Sequence, residues 1–335
     1  MIDGHGDDIY GRDIAIKSNF STNIFCKRVT GLETHLQTKI GLIYNYPPPD
    51  AKPLRERIAF KENINDDSIL VTSGAVDAIY LIAMAFHGHS AILSPTFSEY
   101  EDACKRHAHK ISYFQELDDI ESDATSVWIC NPNNPDGRVF STNDLEKLLS
   151  SNPNRLIIVD QAYEDYTPNT LFESHKVLEY PNLIILKSLT KKFSLPGLRV
   201  GYLIANPSVT NIIKTKMMPW SVNALAIEAA LYCLDHEDDF KINMAFLIKE
   251  KERLSHKLEE LGIQSFPSDT NFLLCQLPRG TSNELKEYLL SQHGILIRDA
   301  SNFNGLTPLH FRVAVQTRQE NDNLISGIKS WLLQF

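Results

Sequence analysis

The stretch NLIILKSLTKKFSLPGLRVGY carries an unusual concentration of groups able to do chemistry. An apolar, strand-like run leads into Ser188, Thr190, Lys191 and Lys192, and Arg199 follows before a second strand-like run. Hydroxyls and two kinds of cation at a strand end suit a phosphate monoester, because an anion needs donors and a guanidinium presents a planar fork of them. A lysine held in such a place could also form a Schiff base. A solvated basic loop accounts for a bare KSLTKK equally well.

In RLIIVDQAYEDY, Asp160 ends a buried-looking strand and Tyr163 follows three residues later. A carboxylate there is costly to bury without a cationic or hydrogen-bonding partner. A protonated pyridine nitrogen is such a partner, and the cofactor that needs both an acidic residue and a lysine Schiff base is pyridoxal phosphate. An aspartate capping the next helix is the plainer alternative. In VTSGAVDAI the amides of Gly74, Ala75 and Val76 open a helix and could hold a phosphate, although a simple tight turn has the same composition. Tyr100, at the end of PTFSEY, is a stacking platform or a core aromatic. The turn chemistry of WICNPNNPDG explains its Asn, Pro and Gly content by itself.

These residues need elements to position them. SILVTSG, SAILSP, SVWICNP, RLIIVDQ, NLIILKS and VGYLIAN read as apolar strands separated by helical stretches. That pattern predicts a mostly parallel sheet covered on both faces, with ligands gathered at the carboxyl ends of the strands. Phe240, Met244, Leu247, Leu254, Leu258 and Leu261 fall at helical spacing in one long amphipathic helix that Gly262 stops. Strand-like NFLLCQL, a helix over SNELKEYLLSQHG, strands GILIRD and HFRVAV, and a final helix from about Gln319 to Leu333 then describe a smaller α+β domain. The expected organisation is an N-terminal arm (1–30) packing with the small domain, a large domain (31–230) and a small C-terminal domain (231–335).

Composition narrows the partners. Of 335 residues, 33 are Lys or Arg and 42 are Asp or Glu, a net charge of −9 that works against binding nucleic acid. The longest nearly unbroken apolar run, Ala78 to Phe86, is too short to cross a bilayer. The opening MIDGHGDDIY lacks the regions of a signal peptide, so a cytoplasmic protein is expected. Cys26, Cys104, Cys130, Cys233 and Cys275 are odd in number and form no CxxC pair, which supports neither a disulfide framework nor a zinc site.

Taken in order, YPPPDAKPLRERIA, SGAVDAI, PTFSEY, CNPNNPDG, VDQAYEDY, SLTKKFSLPGLRVGY and HFRVAV resemble the class I/II aminotransferase family, the fold-type-I enzymes dependent on pyridoxal phosphate. The resemblance implies that Lys191 is the Schiff-base lysine and proton shuttle, chosen over Lys192 because the family motif places an arginine eight residues on, at Arg199. It further implies that Asp160 pairs with the pyridine nitrogen, that Asn134 and Tyr163 hydrogen-bond the ring oxygen, and that Tyr100 stacks on the ring. Gly74, Ala75, Val76, Ser188, Thr190 and Arg199 would hold the cofactor phosphate. Tyr46 would reach the phosphate of a neighbouring subunit, which implies a homodimer with shared active sites, and Arg312 would grip the substrate carboxylate.

Within the family, IRDASNFNGL followed by FRVAV is similar to the branch of histidinol-phosphate aminotransferase and threonine-phosphate decarboxylase. HGDDIY and NFSTN resemble the HGG and FSxN elements of the decarboxylase, an enzyme of cobalamin biosynthesis, and make His5, Asn23 and Arg298 the implied substrate contacts. The chain departs from the family pattern at Gln161, Asp136, Pro196 and Lys192.

Three other readings compete. Ser188 and Lys191 form the SxxK spacing of a serine hydrolase, without its SDN and KTG companions. His87 with His89, or His107 with His109, would be half of a metal site. A binding protein on the same fold is the third, since fold does not fix function.

Overall fold

The computed structural model describes residues 6–8, 10, 14–25 and 30–334. Its centre is a seven-stranded sheet of β1 (Ile69–Thr72), β2 (His89–Leu93), β3 (Lys110–Phe114), β4 (Ser126–Cys130), β5 (Leu156–Asp160), β6 (Leu183–Ser188) and β7 (Gly201–Ala205). The spatial order is β1-β7-β6-β5-β4-β2-β3. Only β7 runs antiparallel to its neighbours; the other pairings are parallel. Six of these strands correspond to the apolar runs in the sequence. β3 is the addition: it lies at the sheet edge and is largely half-exposed, so it has no continuous apolar signature to read.

Alternation along the strands splits the core in two. Ile157, Val159, Ile185 and Ile204 pack in one cluster, while Ile158, Ile184, Leu186 and Leu203 pack in the other. Helix α1 (Lys52–Glu62) covers the first face, here called the back, through Leu54 and Ile58. Helix α2 (Gly74–Ala85) covers the front through Ala78, Ile79 and Ile82. A single helical turn, α3 (Leu189–Lys192), continues β6.

Helix α4 (Ala224–Asp235) buries Ala226, Ala229, Ala230 and Cys233 in the back cluster, so a boundary at 230 would cut through one packed helix. Phe240 also packs with the large domain: it sits in a 3₁₀ turn (Glu237–Phe240), edge-on to Phe193 with ring centroids 4.8 Å apart. The amphipathic helix α5 (Met244–Glu260) therefore starts later than its apolar spacing suggests, where the Asn243 side chain accepts a hydrogen bond from the Phe246 amide at 3.0 Å.

The small-domain sheet is antiparallel, with β8 (Phe272–Gln276) and β9 (Arg298–Asp299) on either side of β10 (His310–Ala314). Helices α6 (Ser282–His293) and α7 (Arg318–Leu332) pack on it, each opened by a capping box, at Thr281 and Thr317. The arm residues Ser18–Asn19 pair in parallel with Ile295–Leu296, and Phe20 is fully buried in the small-domain core, a contribution of about 2 kcal/mol. Cys104, Cys130, Cys233 and Cys275 are buried free thiols; Cys26 lies outside the described residues. Among the described residues no helix is long and apolar enough to cross a membrane.

Candidate active site

The three lysines of KSLTKK have three different surroundings. Lys187 points to the back face, where its Nζ lies 3.2 Å from Glu62 and 3.1 Å from Glu164. Burial alone would lower its pKa, but the two carboxylates outweigh that and hold it above its ordinary value. Lys192 is likewise held up, against burial, by Asp165 at 3.7 Å and Glu237 at 2.8 Å. Lys191 turns into a front-face cavity of about 430 Å³, and among the described residues no carboxylate pairs with it. Its Nζ donates to the Thr22 carbonyl at 2.8 Å. Burial, then the cations Arg312 and Arg199, bring its pKa down to about 7. A reactive amine needs an unprotonated fraction near neutrality, and of the three only Lys191 has it.

Asp160 ends β5 beside Cys130 and Leu186 of the neighbouring strands. Its Oδ2 accepts from the Tyr100 hydroxyl at 2.7 Å and its Oδ1 from the Ala162 amide at 2.9 Å. Burial raises its pKa, and these two hydrogen bonds work in the opposite direction. Tyr100 thus differs from the expected stacking platform: its ring lies against Trp128, centroids 5.7 Å apart, and its hydroxyl serves Asp160. Phe97, edge-on to Tyr100 with centroids 5.8 Å apart, is a further aromatic on the cavity wall. Tyr163 is buried, which pushes its hydroxyl up to about 12, and that oxygen accepts from Asn23 Nδ2 at 3.3 Å.

The cavity also holds residues suited to a phosphate. Gly74, with φ of +82°, opens α2, and a Cβ there would stand 2.7 Å from Arg199 Nη2. Only glycine lets the guanidinium approach that helix end so closely. Ala75, Val76, Ser188 and Thr190 line the same part of the cavity. Buried Thr190 Oγ1 has no hydrogen-bond partner among the described residues. An orphaned hydroxyl, a helix N-terminus and a guanidinium make a donor set that fits the phosphate of pyridoxal phosphate.

The remaining wall comes from the small domain and the arm. Arg298 and Arg312 stand opposite each other in the β9–β10 register. Arg312 donates through Nη1 to Asn134 Oδ1 and through Nη2 to the Ser21 carbonyl at 2.6 Å, while its Nε has no partner among the described residues. Burial lowers its pKa to about 10. Arg298 donates to Asn302 Oδ1 at 2.7 Å and lies over the Phe303 ring. Asp136, a departure from the family turn, accepts from Asn133 Nδ2 at 2.8 Å and from the Arg138 amide at 3.0 Å, and so closes the turn that presents Asn134.

The cavity thus brings together Ala75, Val76, Tyr100, Asn134, Asp160, Tyr163, Ser188, Thr190, Lys191, Arg199, Arg298 and Arg312, with Gly74 and Asn23 immediately behind its wall. Tyr46 is not among them: its ring is 85% exposed and rests 5.2 Å from Trp220. His5 lies outside the described residues. Gly6, Asp7, Ser21, Thr22 and Phe97 line the cavity without having been singled out; their only signal was membership of HGDDIY, NFSTN and PTFSEY. Lys191 donates to Thr22 rather than to Ser188, which removes the hydrolase pair. Both ring nitrogens of His109 are engaged, by Ser90 and the Ala83 carbonyl, and His87 bonds the His107 carbonyl, while His89 turns to Ser112 at 2.8 Å and Asp123 at 3.1 Å, so neither expected histidine pair shares a ligand position.

A two-domain α/β fold with a depressed lysine, a buried aspartate and a phosphate cradle at the carboxyl ends of its strands defines a pyridoxal-phosphate-dependent enzyme of fold type I. Residues 17–328 match the family described as aminotransferase class I and II, and the chain belongs to that family. It is 32% identical over 298 residues to a histidinol-phosphate aminotransferase from Pyrococcus furiosus, covering 86% of this chain and 83% of the relative. The crystal structure of L-threonine-O-3-phosphate decarboxylase from Porphyromonas gingivalis is similar at 36% identity and a TM-score of 0.92, over 94% of this chain and 99% of that one. Histidinol-phosphate aminotransferase from Sinorhizobium meliloti, solved in complex with pyridoxal-5'-phosphate, has the same fold at 19% identity and a TM-score of 0.84, over 95% and 91% of the two chains.

Proposed function

We propose that this enzyme acts on a small amino acid bearing a phosphate, and that it is a threonine-phosphate decarboxylase. The observation that carries the substrate class is the pair Arg298 and Arg312, opposite in register and both lining the cavity that Lys191 lines. Two guanidiniums suit a substrate with two anionic groups: Arg312 takes the carboxylate and Arg298 the phosphate. The arm residues Gly6, Asp7, Ser21 and Thr22 line the same cavity, and the sequence segments they belong to are those that resemble the decarboxylase.

In this reading Lys191 would carry the cofactor, Ala75, Val76, Ser188, Thr190 and Arg199 would hold its phosphate, Asn134 and Tyr163 would meet its ring oxygen, and Phe97 would offer an aromatic face to the ring. Bound pyridoxal phosphate supplies an electron sink for the pair released when a bond at the substrate α-carbon breaks. Asp160, buried and braced by Tyr100, keeps a proton on the ring nitrogen. Lys191 would move the proton at the α-carbon, its neutral amine removing one and its ammonium form returning one. Arg312 sets the angle of the carboxylate, and with it which bond at that carbon is labile. Loss of the carboxylate as carbon dioxide would give decarboxylation, and loss of the α-hydrogen would give transamination, the outcome consistent with the histidinol-phosphate aminotransferase relatives.

The reading includes a cytoplasmic homodimer. Exposed Ile40, Ile43, Tyr44, Tyr46 and Trp220 form an apolar surface suited to a second copy, across which Tyr46 reaches the partner's cofactor phosphate. The deciding experiment incubates the holoenzyme with threonine phosphate, histidinol phosphate and plain amino acids while following its absorbance and evolved gas. Carbon dioxide from threonine phosphate with the cofactor spectrum restored is expected; conversion to the pyridoxamine form without gas would replace the decarboxylase by an aminotransferase.

A further inference from the structure

The site has a counterpart on the other face of the sheet. Alternation along β6 sends Ser188 forward and Lys187 back, where Lys187 is buried between Glu62 and Glu164. Tyr202 donates to Glu62 Oε1 at 2.6 Å and Ser174 donates to Glu62 Oε2, so this carboxylate is fixed from three sides. Beyond Lys187, Lys192 pairs with Asp165 and Glu237. Three of these groups are chain neighbours of cavity residues: Lys187 of Ser188, Lys192 of Lys191, and Glu164 of Tyr163. The pairs Lys187–Glu164, at 3.1 Å, and Lys192–Asp165, at 3.7 Å, therefore tie the segment carrying Lys191 to the segment carrying Asp160 and Tyr163, from the side away from the cavity. Buried ion pairs are weak sources of stability, because desolvation offsets their attraction, but they fix geometry and are costly to break on one side only.

We propose that Lys187 is a positioning residue: its buried pairs with Glu62 and Glu164 hold the Lys191 segment in register with Asp160 and Tyr163, without touching cofactor or substrate. The proposal rests on Lys191 being the amine that carries the cofactor. The charged and titratable groups facing Lys191 are Arg312, Arg199, Asp160, Asp7 and Tyr163, all on the front, whereas the partners of Lys187 all lie behind the sheet.

The test is a pH titration of the visible absorbance of the holoenzyme, with kcat and KM, for wild type, Lys187→Met, Glu164→Gln and Lys187→Arg. If Lys187 positions the site, Lys187→Met and Glu164→Gln both loosen it and let water reach Lys191. Water favours the charged form, so both midpoints rise, by about half a unit or more. kcat falls roughly tenfold while KM changes by less than about threefold, and Lys187→Arg recovers most of both. Charge acting through space would instead move the two midpoints in opposite directions, since one variant loses a cation and the other an anion. That result, or midpoints that stay put, overturns the proposal. Arg253→Met, which cuts the pair with buried Glu250 in the small domain, lowers thermal stability and leaves the midpoint alone; an equal shift there also overturns it. Where Lys187→Met does not fold, Glu164→Gln alone decides, a midpoint that falls or holds being the negative result. A wild-type protein with no cofactor band defeats the assignment of Lys191 and the proposal with it, whereas a normal band with unmoved variant midpoints defeats only the positioning role.

Discussion

The front and back of one sheet treat lysine in opposite ways. In front, in a cavity of about 430 Å³, Lys191 donates to the Thr22 carbonyl, and the lowering effect of burial, Arg312 and Arg199 outweighs the raising effect of Asp160 and Asp7, neither of which pairs with it among the described residues. Behind, a cavity of about 620 Å³ surrounds Lys187 and Lys192 with the carboxylates of Glu62, Glu164, Asp165 and Glu237. All three ammonium groups are desolvated, so burial alone does not make a reactive amine. What matters is whether a carboxylate comes with it: paired, a buried lysine stays charged; unpaired and next to guanidiniums, it loses its proton near neutrality.

The strongest test of this contrast exchanges the roles of neighbours. Lys191→Ala should abolish the visible band and lower turnover about 10⁴-fold, the range of a lost nucleophile and proton carrier, while Lys192→Ala keeps the band. Measured spectra in which Lys192→Ala is the colourless variant would reverse the assignment. A smaller effect is expected at Arg312, where replacement by Gln removes a charged donor from the substrate wall. KM should rise roughly 10- to 100-fold, as hydrogen bonds to charged groups are worth about 1.5–3 kcal/mol, and steady-state kinetics with an unchanged KM would detach Arg312 from the carboxylate. The smallest effect concerns pH. In protein stripped of cofactor, Lys191 is neutral above about pH 7 and protonated below it. Recapture of pyridoxal phosphate should therefore slow about tenfold per unit in acid. Asp7 favours the charged amine, so Asp7→Asn should move the midpoint of that profile down by a few tenths of a unit; a profile that moves up, or a wild-type midpoint near 10, would contradict the contrast between the two faces.

Much of the front was legible in the sequence. Asp160, Ser188, Lys191, Arg199 and Gly74 sit at ends of apolar runs or at a helix start, where side-chain type and local spacing carry the signal. The back was not. KSLTKK shows three lysines, but the partners of two of them, Glu62, Glu164 and Glu237, come from a helix and two 3₁₀ segments far apart in the chain. Tyr100 illustrates the same limit on the front: an aromatic at the cavity was expected, but its stacking on Trp128 and its hydrogen bond to Asp160 depend on how α2, β4 and β5 assemble around it. The later start of α5 has a tertiary cause, since Phe240 fits the helical spacing yet packs against Phe193 of the large-domain core.

The sequence by itself determined the element types, the parity that sends Ser188 and Lys187 to opposite faces, and the chemical inventory at the strand ends, because these depend on periods of two and 3.6 residues and on side-chain identity. The tertiary structure alone decided which lysine lost its charge. A pKa responds to groups within a few ångströms whatever their distance in the chain, and the Arg312, Arg199 and Asp7 that surround Lys191 come together only when the small domain, the large domain and the arm are packed.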